Sequence, residues 1–406
     1  MKGQIVRQEY ELTCIAPVHT GSGEKRRAFE YLYDNKTNEV AFPNESKWIA
    51  LLAQCGLMDD FARAIKQGAF REKSLREWLL AKGLKEGALR SIVLRKAATT
   101  SLVTTERGRK SLNDIVCQTT LADGRPYIPG STIKGALRTG LLYGAIRRDP
   151  ARFRPFWERI RRETGALKDK KKVWPRIIGE LEQTALHTLA LPGAKSSDAV
   201  SSALRGLRVS DAVGAGAMDT IVLQKVDATT KRNKAGKNES RLPLFRECIP
   251  AGRTLRFSIT ADLAMLETAG IMSLDQVTAS LRDYMADGLR RLAAVFSSMN
   301  NGYYKVLFDE AKDADMLLGG GTGFLAKTLV YALADGDEEA RGFVAGYLDE
   351  QFTARDRQTG RYEPTHKHKQ FDRTLSPRTL KRAVMGQDDW IMGLCALRRV
   401  GDVSAV

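Results

Sequence analysis

One short segment of the sequence constrains the fold more than any other. Residues 127–131, with the sequence Tyr-Ile-Pro-Gly-Ser, place a proline and a glycine directly before a run with helical periodicity. A helix is therefore predicted over about 132–147, with Ser131 as its N-cap. The apolar side chains of this run recur at every fourth position: Ile133, Leu137 and Leu141. Such a repeat predicts one buried helix face, so the chain is expected to contain strand–turn–helix units.

A second stripe on the same helix carries two cations one turn apart. Lys134 and Arg138 lie about 100° away from the apolar stripe, and Gly135 and Ala136 keep the intervening surface flat. The first turn of a helix also presents N–H groups and the positive end of the helix dipole. We interpret Ser131, Lys134 and Arg138 as a phosphate-binding surface. The alternative is an amphipathic helix whose Lys and Arg are simply solvated.

A run of glycines marks a similar turn in the C-terminal half. Residues 319–323 contain four glycines and precede a predicted helix over about 324–334. Such density favours close backbone approach or positive φ, and a loop of N–H groups can bind an anion. The residues predicted to contact RNA here are Gly319, Gly320, Gly321 and Lys327. A nucleotide-binding loop needs a further glycine directly before its lysine, and Ala326 stands there, so NTP hydrolysis is disfavoured.

A third glycine-bearing loop follows the first predicted strand, residues 4–16. His19 and Gly21 lie in this loop and are predicted to contact RNA. His19 has two other interpretations, an acid–base catalyst and a capping side chain. The His-Lys-His sequence at 366–368 lacks the spacing of metal ligands and is assigned to a basic loop. The sequence predicts no metal site, no cofactor and no catalytic residue.

The charge of the chain favours a polyanionic partner. Lys and Arg number 65 against 48 Asp and Glu, a net charge of +17, and the excess concentrates in residues 147–176, 231–241 and 361–382. The alternative is that these runs are solvated faces. Aromatic and arginine residues alternate over 152–157, a pattern that fits either base stacking or core packing. Residues 227–241 are basic and polar, and predict a mobile loop.

Several features exclude other classes of protein. No apolar run reaches the roughly 18 residues that a membrane helix needs, and residues 1–10 lack the apolar region of a secretory signal. The five cysteines are scattered and never form a CxxC pair, which predicts reduced thiols. We therefore expect a cytoplasmic protein without a membrane partner.

Several motifs resemble those of the RAMP proteins of CRISPR systems. The matching segments are 17–24 (PVHTGSGE), 127–138 (YIPGSTIKGALR), 208–211 (RVSD), 246–252 (RECIPAG), 318–324 (LGGGTGF), 379–381 (TLK) and 392–395 (MGLC). Their order is similar to that of the type III-A effector subunits that cap the complex backbone at the 3′ end of the guide RNA. The resemblance implies an α+β fold of two ferredoxin-like (RRM-like) RAMP domains, 1–262 and 263–406. Helical spacing over residues 45–97 separately predicts a helical insertion in the first domain, at about 45–118.

The same resemblance implies a guide RNA (crRNA) ligand and assembly beside a repeating backbone subunit and a small helical subunit. It also implies support for crRNA 3′-end maturation in antiviral defence, through recruited host nucleases, and no catalysis by this chain. Two alternatives remain open. One is a RAMP endoribonuclease that processes precursor guide RNA with His19 as acid or base. The other is a structural subunit that binds its protein neighbours and contacts RNA little.

Overall fold

The computed structural model describes residues 5–71, 73–106, 109–166, 170–232 and 236–403. Within these ranges the strands are β1 (Ile5–Cys14), β2 (Gly21–Arg26), β3 (Leu32–Asp34), β4 (Glu39–Pro43), β5 (Val93–Thr99), β6 (Val103–Glu106), β7 (Arg109–Leu112), β8 (Ile115–Gln118), β9 (Tyr127–Ile128), β10 (Leu207–Val209), β11 (Ala212–Val213), β12 (Thr220–Thr229), β13 (Glu239–Cys248), β14 (Thr254–Asp262), β15 (Met316–Leu317), β16 (Thr353–Arg355), β17 (Tyr362–Pro364), β18 (Thr379–Met385), β19 (Asp388–Ile391) and β20 (Leu394–Val403). The α-helices are α1 (Glu45–Gln54), α2 (Met58–Lys66), α3 (Leu75–Ala81), α4 (Glu86–Ser91), α5 (Gly130–Arg148), α6 (Pro150–Ala166), α7 (Lys170–Leu186), α8 (Leu263–Glu267), α9 (Leu274–Phe296), α10 (Tyr303–Glu310), α11 (Val330–Leu333), α12 (Asp337–Gln351) and α13 (His368–Phe371). None of these helices is long and apolar enough to cross a membrane.

Strand β1 lies at the centre of the first sheet. It pairs antiparallel with β14 on one side and with β20 on the other, in the order β15-β20-β1-β14-β11-β9, and β10 also pairs with β14. The buried side chains of β1 alternate at Tyr10, Leu12 and Cys14. This period of two turns one face of the strand toward the core. Strands from both ends of the chain therefore build one sheet.

The second sheet has the order β2-β8-β13-β12-β5-β4-β3, and β18 and β19 extend it from β12. Two-stranded ribbons are formed by β6 with β7 and by β16 with β17. Both large sheets contain strands from the predicted segments 1–262 and 263–406, and the domain boundary between these segments remains a prediction. The mixture of sheets and helices confirms the predicted α+β class and is consistent with ferredoxin-like RAMP units.

Helix α5 packs closely against α9. A Cβ atom on Gly140 would lie 2.6 Å from the Cα atom of Leu281, a distance that only glycine avoids. The predicted apolar stripe is confirmed as core. Ile133, Leu137 and Leu141 are 0%, 0% and 2% exposed. Burial of this face fixes the orientation of α5 and leaves its opposite side, with Arg138, at the surface.

The predicted helical insertion at about 45–118 is correct only in its first part. The last of helices α1 to α4 ends at Ser91, and the next described elements are the strands β5 to β8. Strand β5 pairs with β4 and β12, and β8 pairs with β2 and β13. Partners distant in the sequence thus select the extended conformation over the local helical pattern.

Two other local predictions are wrong at their boundaries. The predicted loop 227–241 is shorter, because β12 and β13 remain paired as far as Ala228 and Glu239; residues 233–235 lie outside the described ranges. The predicted helix over 324–334 is interrupted at Thr328, which is extended at φ −112° and ψ 142°. The N–H of Val330 donates to the Thr328 hydroxyl at 3.2 Å, a local bond that competes with the helix.

Two of the aromatic residues in the 152–157 segment belong to the core, and both of its arginines are exposed. Phe153 and Trp157 are each 1% exposed, and Nε1 of Trp157 donates to Glu339 at 2.8 Å. Arg161 also pairs with Glu339, at 2.5 Å. The core-packing interpretation is therefore correct for these two rings, and part of the positive charge on α6 is neutralised by a carboxylate of α12.

Candidate nucleic-acid interface

A groove of about 450 Å³ lies between α5, the segment that leads into β2, and the glycine loop 319–323. We call it the α5 groove. Its lining includes six of the nine residues predicted to bind RNA: Gly21, Ser131, Arg138, Gly319, Gly320 and Lys327. These six positions come from three separate segments of the sequence. The fold thus brings the three glycine-bearing turns together, and RNA contact by their residues stays a prediction.

The N-terminus of α5 is capped by a residue other than the predicted Ser131. The helix begins at Gly130, and the N–H of Gly130 donates to Oδ1 of Asp211 at 2.7 Å. A Cβ atom on Gly130 would lie only 2.2 Å from the carbonyl oxygen of Val209, so the close approach of this strand requires glycine. Ser131 is free of the capping role and lines the α5 groove. The RVSD motif contained the signal for this cap, in Asp211.

The glycine loop docks directly on the loop that carries His19. The N–H of Gly320 donates to the carbonyl oxygen of His19 at 2.7 Å. Gly319 has a φ of +84°, and a Cβ atom there would lie 2.1 Å from the same oxygen. Gly321, also at positive φ, packs instead against Arg246 and Met392 of the second sheet. The glycine density is thus explained by contacts within the chain, and Gly321 lies outside the groove lining.

His19 is a buried, neutral side chain. It is 3% exposed, and its Nδ1 lies 2.6 Å from the carbonyl oxygen of Glu247. A carbonyl oxygen only accepts hydrogen bonds, so Nδ1 carries the proton and Nε2 carries the lone pair. Burial lowers the pKa of His19, and the positive charge of Arg246 lowers it further. This environment disfavours the protonated form that a general acid requires.

Glu247 organises the buried polar contacts behind His19, and sequence reasoning did not select it. Its side chain is fully buried and accepts two hydrogen bonds from Arg95, at 2.7 Å and 2.9 Å. The N–H of Gln118 and the hydroxyl of Thr220 also donate to it, at 3.1 Å and 2.8 Å. Glu247 therefore joins β5, β8, β12 and β13, and its backbone holds the His19 ring. The RECIPAG motif contains this residue but gives no sign of its partners.

The two predicted cations of α5 have different surroundings. Arg138 is 48% exposed and pairs with Glu182 at 3.3 Å, a weak surface contact that a phosphate can displace. Lys134 instead donates to the carbonyl oxygens of Leu204 and Leu207, at 2.8 Å and 2.7 Å. Burial lowers the pKa of Lys134. Phosphate contact by Lys134 stays a prediction from the sequence, and these two carbonyls are competing partners for its ammonium group.

We expect Lys134→Met to lower the free energy of unfolding by about 1–3 kcal/mol, because it leaves two partly buried carbonyl groups without their donor. Urea unfolding of the full chain measures this change. Lys327→Met is the matched control, since Lys327 is exposed and no ion pair holds it in the part of the chain that the structure describes. Equal unfolding midpoints for the two variants would contradict a structural role for Lys134.

Metal ligation has no candidate among the described side chains, because no group of three or more His, Cys, Asp or Glu lies close enough to hold an ion. The chemistry that the α5 groove offers is therefore that of its own residues. Arg138 and Lys327 provide charge, and the hydroxyl groups of Ser131 and Thr132 line the groove beside them. Such a surface suits a phosphodiester backbone, which is recognised by cations, hydroxyls and N–H groups.

Comparison with known proteins gives one consistent result. A sequence model described as the RAMP superfamily matches residues 11–379. The curated protein "CRISPR system Cms protein Csm5" of Mycobacterium tuberculosis is 27% identical over 402 residues, 96% of each chain. Its namesake in Streptococcus thermophilus is 26% identical over 345 residues, 83% of each chain.

Solved structures with similar folds come from the same group of proteins. One is a cryo-EM structure of a Csm-crRNA-target RNA ternary complex in a type III-A CRISPR-Cas system, with a TM-score of 0.65 and 16% identity, covering 96% of this chain and 100% of the other. The crystal structure of T. onnurineus Csm5 gives a TM-score of 0.54 at 17% identity, covering 80% and 92%. Because the family model spans most of the sequence, this chain belongs to the RAMP superfamily.

Proposed function

We propose that this chain is a Csm subunit of a type III-A CRISPR effector complex, in which it binds the guide RNA and caps the complex backbone at the RNA 3′ end. The names of the curated relatives and the similar fold found in a solved Csm-crRNA-target RNA complex support the assignment to a Csm complex. Guide RNA binding and the capping position are the finer parts of the proposal. In this role the protein acts in the cytoplasm and contacts the repeating backbone subunit and the small helical subunit.

The α5 groove is the observation that carries this proposal. It combines two exposed cations, Arg138 and Lys327, with the first turn of a long helix and with a glycine loop. Each of these features favours phosphate groups, and their convergence from distant parts of the sequence gives one continuous anionic-ligand site. The net charge of +17 adds long-range attraction for a nucleic acid.

We further propose that the chain supports crRNA 3′-end maturation without cleaving RNA itself. A terminal subunit determines how much of the RNA 3′ end is covered, and the uncovered remainder is open to host nucleases. The alternative of an endoribonuclease that uses His19 has no supporting observation, because the His19 ring is buried and hydrogen-bonded to a backbone carbonyl.

The double substitution Arg138→Ala with Lys327→Ala tests the groove. Affinity of the full chain for single-stranded RNA should fall about equally for different sequences, because phosphate contacts carry no sequence information. The slope of log affinity against log salt should decrease by about 0.7 for each lost contact, or about 1.4 for the pair. Fluorescence anisotropy over a range of salt concentrations measures both quantities.

The matched control is Lys36→Ala, which removes an exposed cation from the β3–β4 turn of the second sheet. In cells, complexes purified through another subunit should contain crRNA with altered 3′ ends when the groove is mutated, and unaltered 3′ ends with the control. Unchanged salt slopes and unchanged 3′ ends would remove the α5 groove from the RNA path.

A further inference from the structure

Exposed aromatic side chains cluster in one short segment that contributes no residue to the lining of the α5 groove. Phe352, Tyr362 and Phe371 are 53%, 74% and 39% exposed. Across the ranges that the structure describes, one other Phe, Tyr or Trp is classed as exposed, Tyr303 at 44%. We call residues 352–371 the aromatic hairpin. Contiguous exposed apolar surface on a soluble protein commonly marks a binding site.

The exposed rings of the aromatic hairpin lie beside basic side chains and a histidine. Its strands β16 and β17 pair antiparallel, with Arg355 directly opposite Tyr362, so these two side chains share a face. The His366 ring lies against Phe352, with 6.2 Å between ring centroids. Nζ of Lys231, from the end of the β12–β13 hairpin, lies 5.4 Å from the Phe371 ring centroid. Each of the three exposed rings therefore has a basic or histidine side chain beside it.

Buried ionic contacts hold this surface in place. The Asp349 carboxylate accepts hydrogen bonds from the N–H groups of His368 and Lys369, at 2.5 Å and 2.9 Å. Asp372 is buried between Nδ1 of His368, at 2.8 Å, and the guanidinium of Arg378. These contacts fix the α13 end of the hairpin, which carries Phe371, and so reduce the conformational entropy lost when a ligand stacks on that ring.

The charge of the hairpin is positive where it faces solvent. Residues 352–373 contain six Lys and Arg and three Asp and Glu. Two of the carboxylates are used internally: Asp372 is buried, and Asp356 accepts hydrogen bonds from the backbone of its own turn. The third, Glu363, lies 4.0 Å from Lys367. Arg357 and Arg361 are exposed, and neither has an ion pair within the described residues.

We propose that the aromatic hairpin is a second RNA-binding site, which stacks unpaired bases of single-stranded RNA on Phe352, Tyr362 and Phe371. Arg357 and Arg361 neutralise the phosphates between stacked bases. A groove or patch that combines cations with exposed rings is the usual architecture for single-stranded nucleic acids, because every base has a face that can stack. Double-stranded RNA offers no free base faces and is excluded. This inference rests on the proposed function and adds the part of the chain that holds the unpaired RNA.

The test uses the full chain and a fluorescently labelled 12-nucleotide oligouridine. Phe352→Ala with Tyr362→Ala should weaken binding at least tenfold and leave the salt dependence unchanged, because stacking involves no counterion release. Tyr362→Phe keeps the ring and should bind like the parent. Arg357→Ala with Arg361→Ala should instead lower the salt slope by about 1.4. Met272→Ala, at a 61% exposed apolar side chain outside the hairpin, is the control for general surface effects.

Parent-like affinity of Phe352→Ala with Tyr362→Ala would overturn the proposal. If that variant binds RNA normally but no longer co-purifies with the effector complex, the hairpin docks a protein, which also overturns it. The groove variant Arg138→Ala with Lys327→Ala separates the two hypotheses. If only the groove variant loses RNA, the hairpin inference fails and the proposed function stands. If the parent chain itself does not bind the oligouridine, the proposed function fails as well.

Discussion

Replacing Glu247 by glutamine should be among the most destabilising single changes in this protein. The carboxylate is fully buried and neutralises Arg95, whose side chain is only 12% exposed. An amide of the same shape removes the negative charge and turns an N–H₂ group toward donors of Arg95, Gln118 or Thr220. Removing one partner of a buried ion pair typically costs about 3–5 kcal/mol, because the other charge stays buried without compensation. Urea unfolding followed by circular dichroism measures the loss.

Two variants make this test specific. Arg256→Ala breaks the contact with Glu11 on the first sheet, where the Arg256 side chain is 74% exposed, and should leave the unfolding midpoint nearly unchanged. The double variant Arg95→Met with Glu247→Leu removes both charges and should recover part of the lost stability, because the Gln118 N–H and the Thr220 hydroxyl still lose their acceptor. If Glu247→Gln unfolds at the same urea concentration as the parent, the buried pair does not stabilise the second sheet.

The same substitution should also reach the α5 groove. The backbone of Glu247 holds the His19 ring, and the carbonyl of His19 in turn accepts the N–H of Gly320. Displacement of β13 therefore shifts both loops that form one wall of the groove. The Glu247 carboxylate is outside the lining of the α5 groove, but it thus positions residues that line the groove. Sequence reasoning had no access to this role, because the partners of Glu247 lie 27, 129 and 152 positions away.

The predictions that succeeded were those that depend on local periodicity. The stripe of Ile133, Leu137 and Leu141 is decided by helix geometry alone, and all three side chains are buried. The loop positions of Gly319 and Gly320 were also predictable, because regular elements disfavour such a density of glycine. These local signals were enough to place six of the nine selected residues along one groove.

The predictions that failed depended on partners distant in the sequence. For Lys134, whose phosphate contact stays a prediction, local spacing gives no sign that its ammonium group donates to the carbonyls of Leu204 and Leu207. The predicted helical insertion extends to about residue 118, but β4, β12 and β13 offer strand partners to the residues of β5 and β8. The sequence gives no sign of the aromatic hairpin, because residues 366–368 indicate only a basic loop. Exposure of a ring is a property of the folded surface, which periodicity over so short a segment does not encode.

Replacing Gly319 by alanine should abolish the α5 groove with the smallest possible added side chain. The new Cβ atom would lie 2.1 Å from the carbonyl oxygen of His19, and alanine would have to adopt a φ of +84°. Both effects push the glycine loop away from the loop of His19, so the hydrogen bond from Gly320 to His19 is lost. We expect affinity for single-stranded RNA to fall at least tenfold, because the loop and Lys327 no longer face Arg138 across the groove.

Two further glycine substitutions separate the contact from the backbone strain. Gly386→Ala, in the β18–β19 turn, imposes a φ of +63° with no atom within 4 Å of the new Cβ, so it measures the strain alone, about 1–2 kcal/mol. The Cβ atom of Gly320→Ala would lie 3.1 Å from its nearest neighbour, Cδ2 of His19, and this substitution should have a small effect. We expect the parent, Gly386→Ala and Gly320→Ala to bind RNA with similar affinity. Gly319→Ala should bind RNA far more weakly than these three. If Gly319→Ala binds RNA as well as Gly386→Ala does, the docking of the glycine loop on His19 does not shape the RNA site, and the groove must be formed by α5 alone.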